Sequence, residues 1–446
     1  MVGAGPTGPA TGNRLLKTSR YVTYYWEEVV MSDVIVVGAG VVGAACAYYA
    51  ARAGLDVTVV DRGPVAGGTT GSGEGNILVS DKEPGPELEL AVLSNRLWRT
   101  LAEPGGFEFE AKGGLVVAET EDVQRQLTGL AAEQGVEYAL VGASELRDHE
   151  PHLAEGLAGG VYYPQDAQVQ PMLAAATLLR RGAGDYGHNY GHNYGDDYGD
   201  DNERGYGDGH GRDNERGHGR DNGHGTVRLR LGVEVTGFLR SGERVTGVRT
   251  SQGDVLGDAV VNAAGTWGGQ IAALAGAHLP ILPRRGFILV TEPLREPLIR
   301  HKVYTAAYVT NVASDSAGLE TSAVVEGTPA GTVLIGASRE RVGFDRTTSV
   351  PVLSRLAAQA VALFPALREV RAIRSYCGFR PYCPDHLPVI GADPRVPGLY
   401  HACGHEGAGI GLAPATGHLL AQLLTGEQPD LDLTPFRPDR FTEETS

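Results

Sequence analysis

Gly38-Ala39-Gly40-Val41-Val42-Gly43 is followed by Asp61, 18 residues beyond Gly43. Residues of these types at this spacing suit an adenine dinucleotide. Gly38 permits a tight turn, Gly40 lets backbone approach a pyrophosphate, and Gly43 lets a helix pack on a strand. Val41 and Val42 open that helix, whose free N–H groups and positive dipole end face the phosphates. Asp61 is placed to bond the adenosine ribose hydroxyls. Gly3-Ala4-Gly5-Pro6-Thr7-Gly8 matches the same pattern, but no strand can precede it and no helix pattern follows. After Asp61-Arg62 comes Gly67-Gly68-Thr69-Thr70-Gly71-Ser72-Gly73-Glu74-Gly75-Asn76. A nicotinamide domain would continue its strand–helix alternation here. A long run of small and hydroxyl residues suits a chain wrapped around a flavin, with a plain surface loop as the alternative. A third glycine run, Gly404 to Gly411, precedes the apolar stretch Leu412–Leu424. The amides at that helix start would favour a nearby anion.

These loops need elements to hold them. Val34–Val37 is β-branched and reads as a strand, Ala44–Ala53 as a helix ended by Gly54, and Val57–Val60 as the next strand. Together they make a βαβ unit. Val34–Ala51 is an uncharged run of 18 residues. Three glycines within it favour strand, turn and helix over a membrane span. Gly232–Phe238 and Arg244–Thr250 alternate as a hairpin around Ser241-Gly242, and Gly331–Ala337 and Val303–Thr310 also read as strands. On such a strand Tyr304 and Tyr308 share a face. Pro171–Arg181 and Leu353–Phe364 read as helices.

Composition narrows the function. A net charge of −16 argues against a nucleic-acid surface. Four cysteines without a Cys-x-x-Cys pair exclude a disulfide scaffold, and no His/Cys spacing suggests a metal. Residues 184–225 hold 13 glycines in YGHN and YGDD repeats. They carry too little apolar surface to offset chain entropy, so they read as a disordered insertion. Residues 1–30 read as a disordered extension ahead of a natural start at Met31. They lack a signal-peptide pattern, and the protein reads as cytoplasmic.

Four blocks in order resemble one family. They are Val34–Arg62; Thr69–Asn76; Val260-Val261-Asn262-Ala263-Ala264-Gly265-Thr266-Trp267; and Gly378-Phe379-Arg380-Pro381 with Pro384–Gly391 and Gly398–Gly411. The sequence resembles the D-amino-acid oxidase/dehydrogenase-like (DAO) family of FAD-dependent amine oxidoreductases over about residues 33 to 425. Within it, the likeness is to the branch holding glycine oxidase, D-amino-acid dehydrogenase and the proline and hydroxyproline dehydrogenase β-subunits. The resemblance implies an α/β (α+β) two-domain fold, with a Rossmann-like FAD domain and a discontinuous substrate domain on a mixed or antiparallel sheet. The FAD domain would take residues 31–80, 165–270 and 372–430, the substrate domain 81–164 and 271–371, and a tail 431–446.

It also implies an activity. A small amino or imino acid (a D-amino acid, a glycine or sarcosine type, or D-hydroxyproline or proline) would lose a hydride to flavin N5 and become an imine. Arg380 matches the arginine that clamps the substrate carboxylate; Tyr304, Tyr308, Tyr382 and His405 are further candidates for the substrate pocket. The expected FAD contacts are Gly38, Gly40, Val41, Val42, Gly43, Asp61, Arg62, Thr69, Thr70, Glu74, Gly75, Asn76, Val235, Gly265, Gly404, His405, Gly407, Gly409, Ile410 and Gly411. No residue is assigned as an acid or base. Arg285 is a weaker candidate near the site, Asp385-His386 reads as structural, and Lys302 could assist oxygen. Cys377 and Cys383 miss the position where some members tether flavin, so FAD is expected to be non-covalent. The electron acceptor would be oxygen, a partner protein or a quinone. Two alternatives stand: a flavin subunit inactive alone, whose iron–sulfur relay lies on other chains, and an NAD(P)-dependent Rossmann dehydrogenase.

Overall fold

A computed structural model of the protein describes residues 31–103, 105–184 and 224–441. The glycine pattern at 3–8, the extension at 1–30 and nearly all of the 184–225 insertion lie outside the described residues.

The strand Met31–Val37 is central to the first sheet because Val34, Ile35, Val36 and Val37 are buried on both faces. It pairs in parallel with Val57–Asp61 on one side and Gly253–Asn262 on the other. Leu399–Cys403 and Val227–Leu231 extend the parallel sheet outward, and Val389–Ala392 closes one edge antiparallel. The expected hairpin forms as Val235–Ser241 with Arg244–Thr250 and joins Gly253–Asn262. The register brings Val37, Val60, Asn262 and His401 to the same end of the sheet. Ligands bind at the carboxyl ends of parallel strands in open sheets of this kind.

The helix Val41–Arg52 lies beside Pro171–Gly182 and Gly409–Thr425. Its alanines let the last of these approach closely: a Cβ on Gly417 would come 2.5 Å from the Ala45 carbonyl carbon. The same absence of side chain closes the first turn. A Cβ on Gly43 would overlap the Gly38 carbonyl.

The second sheet is mixed, in the order Ala372–Tyr382, Leu282–Thr291, Val333–Arg339, Glu320–Gly327, Lys302–Thr305, Gly114–Ala118, Gly159–Tyr163, Ala139–Gly142. Lys302–Thr305 and Gly114–Ala118 run parallel and the other neighbours antiparallel. The helix Val350–Leu363 packs its apolar stripe, Val352, Leu356 and Ala360, on this sheet. The fold is α/β with one sheet built on a parallel centre and a second, mixed sheet, as expected. Ala372–Tyr382 pairs along its length with Leu282–Thr291 and lies in the second sheet, while the first sheet resumes at Val389.

One expected strand is shorter. The β-branched pattern predicts extended chain over Val303–Thr310, but the strand ends at Thr305 and a helix covers Ala306–Val312. Thr305 keeps extended backbone and serves as the N-cap, and two alanines then favour helix over the β-branched pattern around them. Tyr304 and Tyr308 still meet, with ring centroids 4.9 Å apart, across the strand–helix junction.

Candidate active site

A cleft of about 520 Å³ runs from the carboxyl ends of the parallel strands to the second sheet. Its near end is built from the first turn. Gly38 has φ +116°, and a Cβ there would lie 2.5 Å from the Ala263 carbonyl oxygen, so no other residue fits without strain. Gly38, Gly40, Val41 and Val42 line the cleft. Gly43 does not; its place is in the packing of the turn. The Val41 N–H donates to Thr70 Oγ1 at 3.0 Å, which leaves the next amides of the helix start facing the cleft wall.

Asp61 lines the cleft and holds the turn. One carboxylate oxygen accepts from the Ala39 N–H and the other from the Gly63 N–H, both at 2.7 Å. Each oxygen keeps a second lone pair. Arg62 sits 4.6 Å over the Trp267 ring and pairs with Glu234 at the rim. Trp267 and Gly265 come from the Asn262–Trp267 segment. Asn262 staples it, donating to the Gly268 carbonyl at 2.8 Å and accepting from the Ala264 N–H at 3.3 Å. Thr69 lines the cleft while its hydroxyl donates to the Phe379 carbonyl, and Val235 lines it from the hairpin.

The middle of the cleft carries Glu74, Gly75 and Asn76. Beneath them Lys302, Glu74 and Asn76, each singled out in the sequence, meet in a buried charge cluster with Glu326, which was not. The Lys302 ammonium pairs with Glu326 at 2.9 Å, lies 3.8 Å from Glu74, and donates to the Asn76 side-chain oxygen. Burial alone would lower the pKa of Lys302, but Glu326 and Glu74 carry it above its ordinary value. Lys302 therefore stays charged, one residue behind the cleft wall.

At the far end, Arg380 reaches the cleft from the strand Ala372–Tyr382. Its Nη1 donates to the Ser338 carbonyl at 2.8 Å, and among the described residues it has no acid within ion-pairing distance. Glycines clear its path. A Cβ on Gly286, on the neighbouring strand and two positions along from the partner of Arg380, would come 2.6 Å from the Ser338 oxygen and closer still to Arg380 Nη1, and one on Gly407 would come 3.4 Å from the Arg380 side chain. Tyr308 lines this end, and burial holds its phenol protonated by raising its pKa.

His405 also lines the cleft, with Gly407, Gly409 and Ile410. The Thr416 hydroxyl donates to the Leu412 carbonyl, so His405 Nε2 carries the proton and donates to Thr416 Oγ1 at 2.9 Å. Burial lowers its pKa to about 3, so it is neutral. Gly404 and Gly411 fall outside the lining. A Cβ on Gly411 would come 3.2 Å from the Asn76 carbonyl oxygen, so that glycine serves helix packing.

Two of the candidate tyrosines lie elsewhere. Tyr304 is fully buried, with its hydroxyl bonded to Ser80, and belongs to the core behind the cleft. The Tyr382 hydroxyl donates to Asp315 at 3.1 Å, and its ring lies under Arg341. Arg285 turns away from the cleft to pair with Glu340 and Asp345 at 2.8 and 2.7 Å. Asp385 pairs with Arg440, and His386 with Glu406 and Asp315. None of the four cysteines lines the cleft. Sequence reading also missed Gly286, Ile288, Arg346, Phe379 and Glu406 as lining residues. Gly286 follows Arg285, a residue the sequence already placed near the site, and that segment was the available signal for the first.

A family model described as "FAD dependent oxidoreductase" (DAO) matches residues 33–188 and 222–423. The chain belongs to this family. It is 29% identical over 459 residues to the hydrogen cyanide synthase subunit HcnC of Pseudomonas aeruginosa, covering 92% of this chain and 97% of that one. It is 29% identical over 416 residues to glycine oxidase of the same organism, covering 91% and 98%. The crystal structure of glycine oxidase from Geobacillus kaustophilus superposes with a TM-score of 0.75 at 25% identity, covering 92% and 99% of the two chains.

Family membership makes the dinucleotide FAD, and the NAD(P) reading falls. The residues of this DAO chain fit it. The cradle at Gly38 would be filled by any Cβ, the helix start at Val41–Gly43 presents amides, and Asp61 stands at the end of its strand. Among the described residues no helix is long and apolar enough to cross a membrane, because Val34–Ala51 is broken into strand, turn and helix.

Proposed function

We propose that this flavoprotein oxidises the C–N bond of a small amino or imino acid to an imine. FAD, when bound, supplies the two-electron acceptor for the hydride that leaves the substrate α-carbon; the amine proton leaves to solvent, and the C=N bond forms. The chain's residues supply position and charge. Gly38–Val42 and Asp61 would hold the adenine half. The start of the helix Gly409–Thr425 directs its dipole at the cleft and favours negative charge there. His405 is neutral and fixed by Thr416, which suits a wall rather than a base. Tyr308, Ile288 and Ile410 exclude water from the far end.

The observation that carries the reading is Arg380, a cleft guanidinium without an acid partner among the described residues, in space cleared by Gly286 and Gly407. A planar fork of donors suits a carboxylate. Arg380→Ala should raise the KM or Kd for amino-acid substrates strongly while FAD stays bound. Anaerobic bleaching of the flavin measures the first, and flavin absorbance after desalting the second. Unchanged substrate affinity would remove the assignment.

A second reading is favoured by the likeness to a protein named as a synthase subunit: the chain could pass electrons to a partner instead of to oxygen. Full turnover by the isolated chain with oxygen would argue against it.

A further inference from the structure

Arg339 ends the strand Val333–Arg339 and is only 4% exposed. Among the described residues its guanidinium has no hydrogen bond or ion pair, and Nη1 is buried without a partner. Its guanidinium lies 4.8 Å from the centre of the Tyr308 ring, which lines the cleft. The preceding residue, Ser338, gives its carbonyl to Arg380. Arg339 does not itself line the cleft; it lies directly behind the Tyr308 ring, at the end of the cleft that Arg380 lines.

The acids around Arg339 are committed elsewhere. Glu320 faces it in strand register, but its carboxylate goes to Arg284 and Ser314. Glu406 is held by Arg284 and His386. Asp81 is held by Lys82 at 2.8 Å. Burial depresses the Arg339 pKa, the Tyr308 phenol opposes this, and the like charge of Arg380 adds to the depression. A buried cation is expensive unless it is paired. Among the described residues Arg339 has the Tyr308 aromatic face and the more distant charges of Glu406 and Asp81, which compensate a desolvated charge partly. One α-carboxylate would neutralise Arg380 and leave Arg339 uncompensated.

We propose that Arg339 is a second carboxylate-binding residue, and that the substrate of this cleft is an amino or imino acid bearing two carboxylates. The inference rests on the reading that Arg380 holds an amino-acid carboxylate. It adds a specificity at a position to which the resemblance assigns no role.

The test separates binding from turnover. The FAD-loaded enzyme is titrated with malonate, succinate and glutarate against acetate, propionate and butyrate, following the perturbed flavin absorbance. At least one dicarboxylate should bind roughly 10- to 100-fold more tightly than its monocarboxylate counterpart, the scale of one added charge-assisted contact. Arg339→Leu should abolish that difference and leave monocarboxylate affinity unchanged; Arg339→Lys should retain part of it. Equal affinities for the two series in the wild-type enzyme would overturn the proposal, as would an equal weakening of both by Arg339→Leu. The wild-type comparison decides even if a variant does not fold. Failure of the amine-oxidation reading looks different: dicarboxylates would bind preferentially, yet no amino acid with one or two carboxylates would bleach the flavin anaerobically.

Discussion

Gly286→Ala gives a specific perturbation of the carboxylate clamp because the added methyl enters the space Arg380 occupies. The new Cβ would sit 2.6 Å from the Ser338 oxygen, with Arg380 Nη1 closer still. Arg380 is the flexible member and moves first. Ser338 is backbone in a paired strand and yields less, so the Nη1 to Ser338 bond of 2.8 Å is lost and the guanidinium is displaced. A hydrogen bond to a charged group contributes about 1.5–3 kcal/mol. Losing one such contact to the substrate therefore costs roughly 10- to 150-fold in affinity at about 1.4 kcal/mol per decade. The dinucleotide end of the cleft is built by Gly38, Asp61 and Thr70, none of which contacts Gly286. FAD retention should accordingly be near that of the unaltered protein. The assay is anaerobic flavin bleaching across substrate concentration, paired with titration of apoprotein with FAD. If substrate affinity is unchanged while FAD affinity falls, the clamp is misplaced and Gly286 serves the cofactor. If both are unchanged, Arg380 does not hold the substrate at all.

Other consequences follow from the same geometry. Gly38→Ala places a side chain at φ +116° against the Ala263 oxygen; the backbone alone costs roughly 1–2 kcal/mol, so the purified variant should retain little FAD, and a normal ratio of flavin to protein absorbance would contradict the cradle. Asp61→Ala strands the Ala39 and Gly63 amides, each costing about 1–3 kcal/mol; both Tm and FAD affinity should fall, and a variant with wild-type values of each would contradict the assignment. The two histidines near the glycine loop should bend stability with pH in opposite directions. His386 has its pKa raised by the Glu406 hydrogen bond, so its contribution is full below about pH 6.5 and is lost as pH rises through the folded value. Burial holds His405 down at about 3, so the unfolded chain binds the extra proton and stability falls as pH drops below about 6.5. The Tm gap between wild type and His386→Gln should shrink from pH 6 to 9, and that for His405→Gln should grow from pH 4 to 7. Parallel trends would show that the two rings do not titrate as their partners require.

What the sequence made legible was local. The turn at Gly38–Gly43 needs glycine for reasons fixed within a few residues, and the βαβ unit around it reads from β-branched and alanine runs alone. Asn262–Trp267 and Gly404–Gly411 are legible in the same way, since their glycines mark backbone that must approach something. Assignments that depend on which way a side chain points fared differently. Tyr382 is two residues from Arg380 on the same strand, yet its hydroxyl is taken by Asp315, and nothing local says where a strand leaves a cleft. Tyr304 and Tyr308 touch as a spacing of four suggests, but through a strand-to-helix junction that puts only Tyr308 on the cleft. Lys302, Glu74 and Glu326 meet because one loop and a sheet register bring them together, so no spacing announces them. Arg339 is the extreme case. With 34 arginines in the chain its residue type carries no information, and Glu340 beside it in sequence invites an ion pair that forms instead with Arg285. What distinguishes Arg339 is that each neighbouring acid has a nearer cation, and that relation exists only among partners distant in the chain.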